Sequence, residues 1–338
     1  MKPSIAKHAI KTAILAGEPV FLWGPPGVGK SSIVAQVSKE LNKKLFDVRT
    51  TLLEPVDLRG LPSISGDTTR WSRPCFLPTE SESILFLDEL PNAEQSVQAA
   101  CYQPVHDKRI GEHELPADMA IIAAGNRTED RCGTNRMPMA LANRFVHIDI
   151  EVDKDDWCRW ALASNVRTEV VAFIFFQPDK LLMFDPKKDT RAFASPRSWE
   201  KVSHLLDSKD KQDDMAKNGN GEGLPADVIE SMIIGTVGAG AGTEFNAFML
   251  TYKDLPNPKQ CLMNPKTAKL PSTPAGKYAI CGSLQHHVDM KTVDNFFEYV
   301  CRMDQEFQTL AVKMATWKND ELCNSRSFIK WSMDNQGA

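Results

Sequence analysis

The chain has 338 residues, enough for two domains with sizeable cores, and its 42% hydrophobic and 25% charged residues are ordinary for a globular protein. Its 40 basic and 44 acidic residues leave a formal charge of −4, which argues against a dedicated nucleic-acid binder. No apolar run approaches a membrane span, the N-terminal MKPSIAKHAI lacks a signal-peptide core, and the eight cysteines form no C-x-x-C pair. The expectation is a cytoplasmic protein with reduced thiols and without zinc chemistry.

In chain order, Ile5, Ala6, Ala9, Ile10, Ala13 and Ile14 recur at a helical period that Gly17 ends. Val20-Phe21-Leu22-Trp23 reads as a buried strand. It runs into Gly24-Pro25-Pro26-Gly27-Val28-Gly29-Lys30-Ser31-Ser32 and then a helix to about Leu41. Gly24, Gly29, Lys30 and Ser31 fill the G-x-x-x-x-G-K-[ST] pattern of a phosphate-binding loop. Glycines let backbone N–H groups approach phosphates, and the helix start adds the positive end of its dipole. Lys30 is expected on the β- and γ-phosphates of a nucleoside triphosphate, and the Ser31 hydroxyl on Mg²⁺.

Residues 44–51 suggest a second strand, and Gly66-Asp67 a short hairpin, with Trp71 expected as a core anchor. The run Ser83-Ile84-Leu85-Phe86-Leu87 suits a central parallel strand, with Asp88 and Glu89 emerging at its C-terminal end. Asp88 is the candidate Mg²⁺ holder and Glu89 the candidate general base for water. One helix is expected over residues 91–106 and a charged hairpin over 107–115, turning at Gly111-Glu112. Another buried strand ends in Asn126, whose carboxamide can hydrogen-bond the attacking water or the γ-phosphate. Arg127, Arg131, Arg136 and Arg144 follow, before a last strand from Val146 to Ile150. The alternation predicts an α/β domain over residues 1–150, a parallel sheet flanked by helices.

Residues 151–338 read as an all-helical domain with a C-terminal helical extension. Helices are expected over residues 153–164 and 166–176, and Ser195-Pro196 opens a third that carries Arg197. The polar stretch 208–223 reads as a flexible loop and resumes helically at Leu224. The stretch 235–242 lacks G-K-[ST] and reads as small-residue packing rather than a second phosphate loop. Residues 257–274 read as an extended connector and 292–318 as one long amphipathic helix.

Taken together, these motifs resemble an AAA+ ATPase of the MoxR-like branch. GPPGVGKSS resembles its Walker A, ILFLDEL its Walker B and AAGNR its sensor 1. MPMALANRF resembles the stretch that carries the arginine finger and SPRSW the sensor-2 phrase, which assigns those roles to Arg144 and Arg197. The likeness covers residues 5–199, and the additional arginines Arg131 and Arg136 leave open a shared finger role. It implies an AAA+ P-loop core followed by a helical lid, with ATP and Mg²⁺ as ligands. It also implies a homo-oligomeric ring, usually a hexamer, with Arg144 reaching a neighbour's nucleotide. Such proteins act as chaperone-like maturation factors on a protein client, often with a von Willebrand factor A domain partner. The alternative is a nucleic-acid-directed AAA+ motor, against which the acidic balance weighs. A GTPase is disfavoured because no N-K-x-D motif occurs; Asn42-Lys43-Lys44-Leu45 lacks the aspartate.

Overall fold

The structure is a computed structural model that describes residues 1–130, 133–188, 190–219 and 221–335. The chain divides into two compact units, the first built on Met1–Asp153 with a short segment from Asp185, the second on Lys154–Phe184 and the chain from Thr190.

The first unit contains strands β1 (Val20–Trp23), β2 (Lys44–Arg49), β3 (Pro62–Ser65), β4 (Thr68–Trp71), β5 (Ser83–Asp88), β6 (Arg109–Ile110), β7 (His113–Glu114), β8 (Ala120–Gly125) and β9 (Val146–Asp149). Five of them form a parallel sheet in the order β2-β5-β8-β1-β9. The apolar residues of the three central strands divide by alternation between two cores. Phe21, Leu85, Leu87, Ile121 and Ala123 pack on one face with Val97 and Cys101. Val20, Leu22, Ile84, Phe86 and Ile122 pack on the other with Ile10, Ile33 and Val37. Two covered faces explain the continuous apolar runs, since every side chain of such a strand is inward. Phe86 has no solvent exposure. Phe86→Ala is expected to lower unfolding free energy by about 3–5 kcal/mol, measured by urea denaturation.

The hairpins β3–β4 and β6–β7 are antiparallel, as the turn residues suggested. Trp71 is not a core anchor. It is half-buried beneath the Arg59 guanidinium, 3.9 Å from the ring centroid, and Arg59 Nη2 also pairs with Glu112 Oε1 at 2.7 Å. The ring is therefore covered by a charged side chain, and one arginine joins the two hairpins.

The expected single helix over 91–106 is a tight turn at Leu90–Asn92 and two short helices, Gln95–Ala100 and Tyr102–Asp107. Pro104 has no N–H to continue the ladder to Ala100, so the helical run breaks at Cys101.

The second unit is all-helical. Phe173 lies at the centre of an aromatic cluster, 5.2 Å from both Trp199 and Phe245 and 5.6 Å from Phe248 between ring centroids. Three expectations are corrected here. The expected loop over 208–223 is helical as far as Lys217, because the helix Pro196–Lys217 runs into it, and only its described residues after Lys217 are non-helical. Its charges pair at helical spacing, Lys209 with Asp213 and Lys217 with Asp214, while Arg167 pairs with Asp207 and Asp210. The connector 257–274 contains the helix Pro258–Met263, started by the Asn257 side chain accepting from Lys259 N, with proline at the first position. The long helix over 292–318 is two, Val293–Val300 and Gln305–Lys318. Both bury one face, and Val300, Met303 and Phe307 keep apolar spacing across the break, so periodicity passes over it. Of the small residues at 235–242, Gly238 and Gly242 serve close packing, as a Cβ on Gly242 would stand 2.7 Å from Ile234 Cα, whereas Gly235 and Gly240 face open space. Among the described residues no helix is long and apolar enough to cross a membrane.

Candidate nucleotide site

In the parallel registers Trp23 pairs with Gly125 and Leu87 with Ala123, so β1, β5 and β8 end at one edge of the sheet. The loops leaving these three strands therefore converge there, the usual place for ligands in open α/β sheets.

After β1 the chain turns through Gly24–Gly29. Gly27 and Gly29 have φ of 80° and 101°, backbone that a side chain would strain. Gly29 precedes the helix Lys30–Glu40 and turns it so that its free N–H groups face the loop. Pro25, Pro26 and Val28 complete the turn, with Val28 N donating to Pro25 O at 3.4 Å, and Ser32 lies in the first turn of the helix. The Lys30 ammonium lies in the concavity. It donates to Gly24 O at 2.7 Å, Pro25 O at 3.2 Å and Asn126 Oδ1 at 2.9 Å. Asn126 and Lys30, far apart in sequence, thus meet in one polar group.

Ser31 Oγ donates to Asp88 Oδ2 at 2.9 Å, and Glu89 N donates to Asp88 Oδ1 at 2.9 Å. A hydroxyl and a carboxylate side by side beside a phosphate loop are hard oxygen donors of the kind Mg²⁺ takes, with waters and phosphate oxygens filling its shell. These residues fit that ion. The carboxyl of Asp47, on neighbouring β2, is held above its usual range by partial burial first and then by the charge of Asp88.

Glu89 adopts left-handed backbone, φ 59° and ψ 28°, at an exposed position. That conformation is uncommon for a residue other than glycine and is held by the surroundings. Thr51 Oγ1 donates to Glu89 Oε2 at 3.0 Å, and Thr50 Oγ1 to Asp88 O at 2.9 Å. Behind the turn, fully buried Gln98 donates to Ala93 O at 3.0 Å and Pro91 O at 3.4 Å. Gly125 admits Pro91, because a Cβ there would lie 2.4 Å from two carbons of its ring. Thr50, Thr51, Gln98 and Gly125 were not anticipated. The only sequence hint was the pair of threonines that follow β2, one strand away from β5.

The arginines fall in separate places. Arg127 is bound within its own unit, with Nε 3.2 Å from Asp149 Oδ1. Arg136 is exposed. Arg144 follows the short helix Met139–Ala142, and its Nη1 donates to Ala140 O at 2.7 Å. Its guanidinium stacks 4.0 Å from the Tyr102 ring centroid, so it is held against its own chain rather than hydrogen-bonded to the acids. Arg131 lies outside the described residues. Arg197 belongs to the second unit, exposed at the second position of the helix Pro196–Lys217. Ser195 caps that helix in reciprocal bonds with Ser198.

The strand order, the phosphate loop and the acids after β5 define a P-loop nucleoside triphosphatase. More particularly, residues 19–145 match the family described as AAA domain (dynein-related subfamily), an ATPase domain. Midasin of Giardia intestinalis is 29% identical over 187 residues, covering 51% of this chain and 4% of that protein. Protein NorQ of Paracoccus denitrificans (strain Pd 1222) is 32% identical over 102 residues, 30% of this chain and 36% of that protein. The chain thus spans 4% of the length of the first relative and 36% of the second. Among solved structures, the RuvB Holliday junction branch migration motor of Thermotoga maritima is similar at 17% identity and a TM-score of 0.40. That likeness covers 89% of this chain and 86% of the other.

Proposed function

We propose that the chain is a ring-forming MoxR-type ATPase that couples ATP hydrolysis to remodelling or maturation of a protein client. The observation that carries this reading is the hydrogen-bonded set of Lys30 with Asn126 and of Ser31 with Asp88 and Glu89 at one sheet edge. Each member has a task. Backbone N–H groups of Gly24–Ser32 and Lys30 hold the phosphates, and Ser31 and Asp88 hold Mg²⁺. Glu89 accepts the proton of the attacking water, which Asn126 orients. Glu89 first has to leave Thr51. In the ground state Lys30 is satisfied by carbonyls and Asn126, so an incoming phosphate exchanges those bonds for charge-assisted ones.

Stabilising the transferring phosphoryl group calls for more positive charge. We assign it to Arg144 of a neighbouring subunit and, through the motif likeness, to Arg197 as the second sensing arginine. A hexameric ring is then the working assembly, with a protein client and a von Willebrand factor A domain protein as partners. The hairpins joined by Arg59 would press on the client together. The test is ATP-loaded Glu89→Gln protein, sized by light scattering and used as bait in a pull-down. A closed ring that retains a protein client is the expected result. An ATP-bound monomer, or turnover of the unaltered chain stimulated by DNA in a salt-dependent way, would overturn it.

A further inference from the structure

His147, on the edge strand β9, was not among the candidate residues. It makes two side-chain hydrogen bonds to parts of the first unit that the proposed reaction needs. Trp23, the last residue of β1 and the one before Gly24, brings its indole nitrogen 2.9 Å from His147 Nδ1. The other ring nitrogen, Nε2, is 2.9 Å from the carbonyl oxygen of Ala142. An indole N–H only donates, and a carbonyl oxygen only accepts. His147 must therefore accept at Nδ1 and donate from Nε2, which a neutral imidazole with its proton on Nε2 does.

Ala142 is the last residue of the helix Met139–Ala142, and Ala140 of the same helix holds Arg144 Nη1. A second, apolar path accompanies the polar one. Phe21 stacks on Trp23 with centroids 4.2 Å apart, and meets Phe145, the residue after Arg144, edge-on at 5.4 Å. The imidazole also lies against Trp23, with centroids 6.0 Å apart and planes 24° from parallel.

We propose that His147 is a positioning residue that ties the entrance of the phosphate loop to the short helix that precedes Arg144. Nucleotide in a subunit's own loop would thereby set the posture of the arginine it offers to its neighbour. The proposal rests on the reading of Arg144 as acting on a neighbour's nucleotide. A phosphate drawn into Gly24–Ser32 competes for Lys30, which now holds Gly24 O, and any shift of Gly24 is felt at Trp23. The indole passes it to His147, and His147 passes it to the end of the short helix. Packing through Phe21 and Phe145 alone can follow such a shift but gives it no direction, whereas the two hydrogen bonds fix orientation at both ends.

The test compares His147→Phe, His147→Gln and Trp23→Phe, with nucleotide affinity and steady-state turnover measured on each. A phenyl ring keeps the stacking and loses both nitrogens; an amide keeps one acceptor and one donor without a charge to gain. His147→Phe is expected to leave the nucleotide Kd within about twofold while kcat falls about fivefold to tenfold, a loss on the scale of two modest hydrogen bonds. His147→Gln should recover most of that loss. Trp23→Phe should resemble His147→Phe, and the double variant should be no worse than either single one. Full kcat in His147→Phe and Trp23→Phe overturns the proposal. So do an equal defect in His147→Gln, which would leave only ring packing, and losses that multiply in the double variant. Arg144→Ala run alongside separates the two claims. Normal turnover there removes the trans reading itself, whereas an inactive Arg144→Ala beside a fully active His147→Phe removes only the relay.

Discussion

Glu89→Gln is expected to bind ATP as tightly as the unaltered chain and to turn it over about 10²–10⁴ times more slowly, the usual worth of a positioned general base. The measurement is phosphate release alongside the affinity for a fluorescent nucleotide. The separation of the two effects comes from geometry. Lys30 is held by Gly24 O and Asn126, and Ser31 by Asp88, without help from the Glu89 side chain, which accepts from Thr51. An amide at position 89 can still hold Thr51, and its volume matches, so the left-handed turn that leads into Pro91 is undisturbed. The capacity to accept a proton is what is lost. If both affinity and turnover collapse, Glu89 is supporting the loop and not the water. If neither changes, the base lies elsewhere. The left-handed backbone at Glu89 sharpens the expectation, because strain of this kind is retained where surrounding structure imposes it. Here Asp88 Oδ1 accepts the Glu89 N–H and thereby aims both acids at once.

Much of this site is legible in the sequence alone. A turn needing two residues of positive φ must use glycines, a phosphate needs a lysine, and a strand buried on both faces ends visibly where acids begin. These are local demands, and local sequence answers them. Thr51 cannot be read that way. Its hydroxyl meets Glu89 only because β2 pairs with β5 in a register that sets Arg49 beside Asp88, and neither strand alone contains that fact. The same holds for Gly125, whose missing side chain matters through Pro91, and for His147, which matters through Trp23 and Ala142. The helix Pro196–Lys217 is misread for the opposite reason. Polarity marks its tail as a loop, whereas pairs such as Lys209 with Asp213 make a polar sequence a good exposed helix. At residues 292–318 the period of apolar residues is the true one. Period reports which face is buried and is silent on whether the backbone continues between turns.

Arg144→Ala is expected to have the larger effect, lowering turnover by about 10³–10⁵ while nucleotide affinity is kept, as for arginines that stabilise a transferring phosphoryl group. Its place makes the further claim testable. The guanidinium is held by Ala140 O and the Tyr102 ring of its own chain, apart from the hydrogen bonds of Lys30, Ser31 and Asp88. An arginine serving its own site would be expected among those bonds. One serving a neighbour needs a resting place from which it can be withdrawn at modest cost, and a half-buried cation–π contact of about 1 kcal/mol is such a place. The decisive measurement mixes two inactive proteins. Arg144→Ala subunits keep an intact loop and Glu89, while Glu89→Gln subunits keep an intact arginine. In a ring built from head-to-tail contacts, an equal mixture places the two in productive order at about a quarter of the interfaces, so turnover should return to roughly that share. Arginines acting within their own subunit would restore nothing, because every chain in the mixture would still lack one of the two groups. Recovery that rises with the proportion of mixed interfaces would mean that each hydrolytic site is assembled from two chains, and that assembly itself is a condition of turnover.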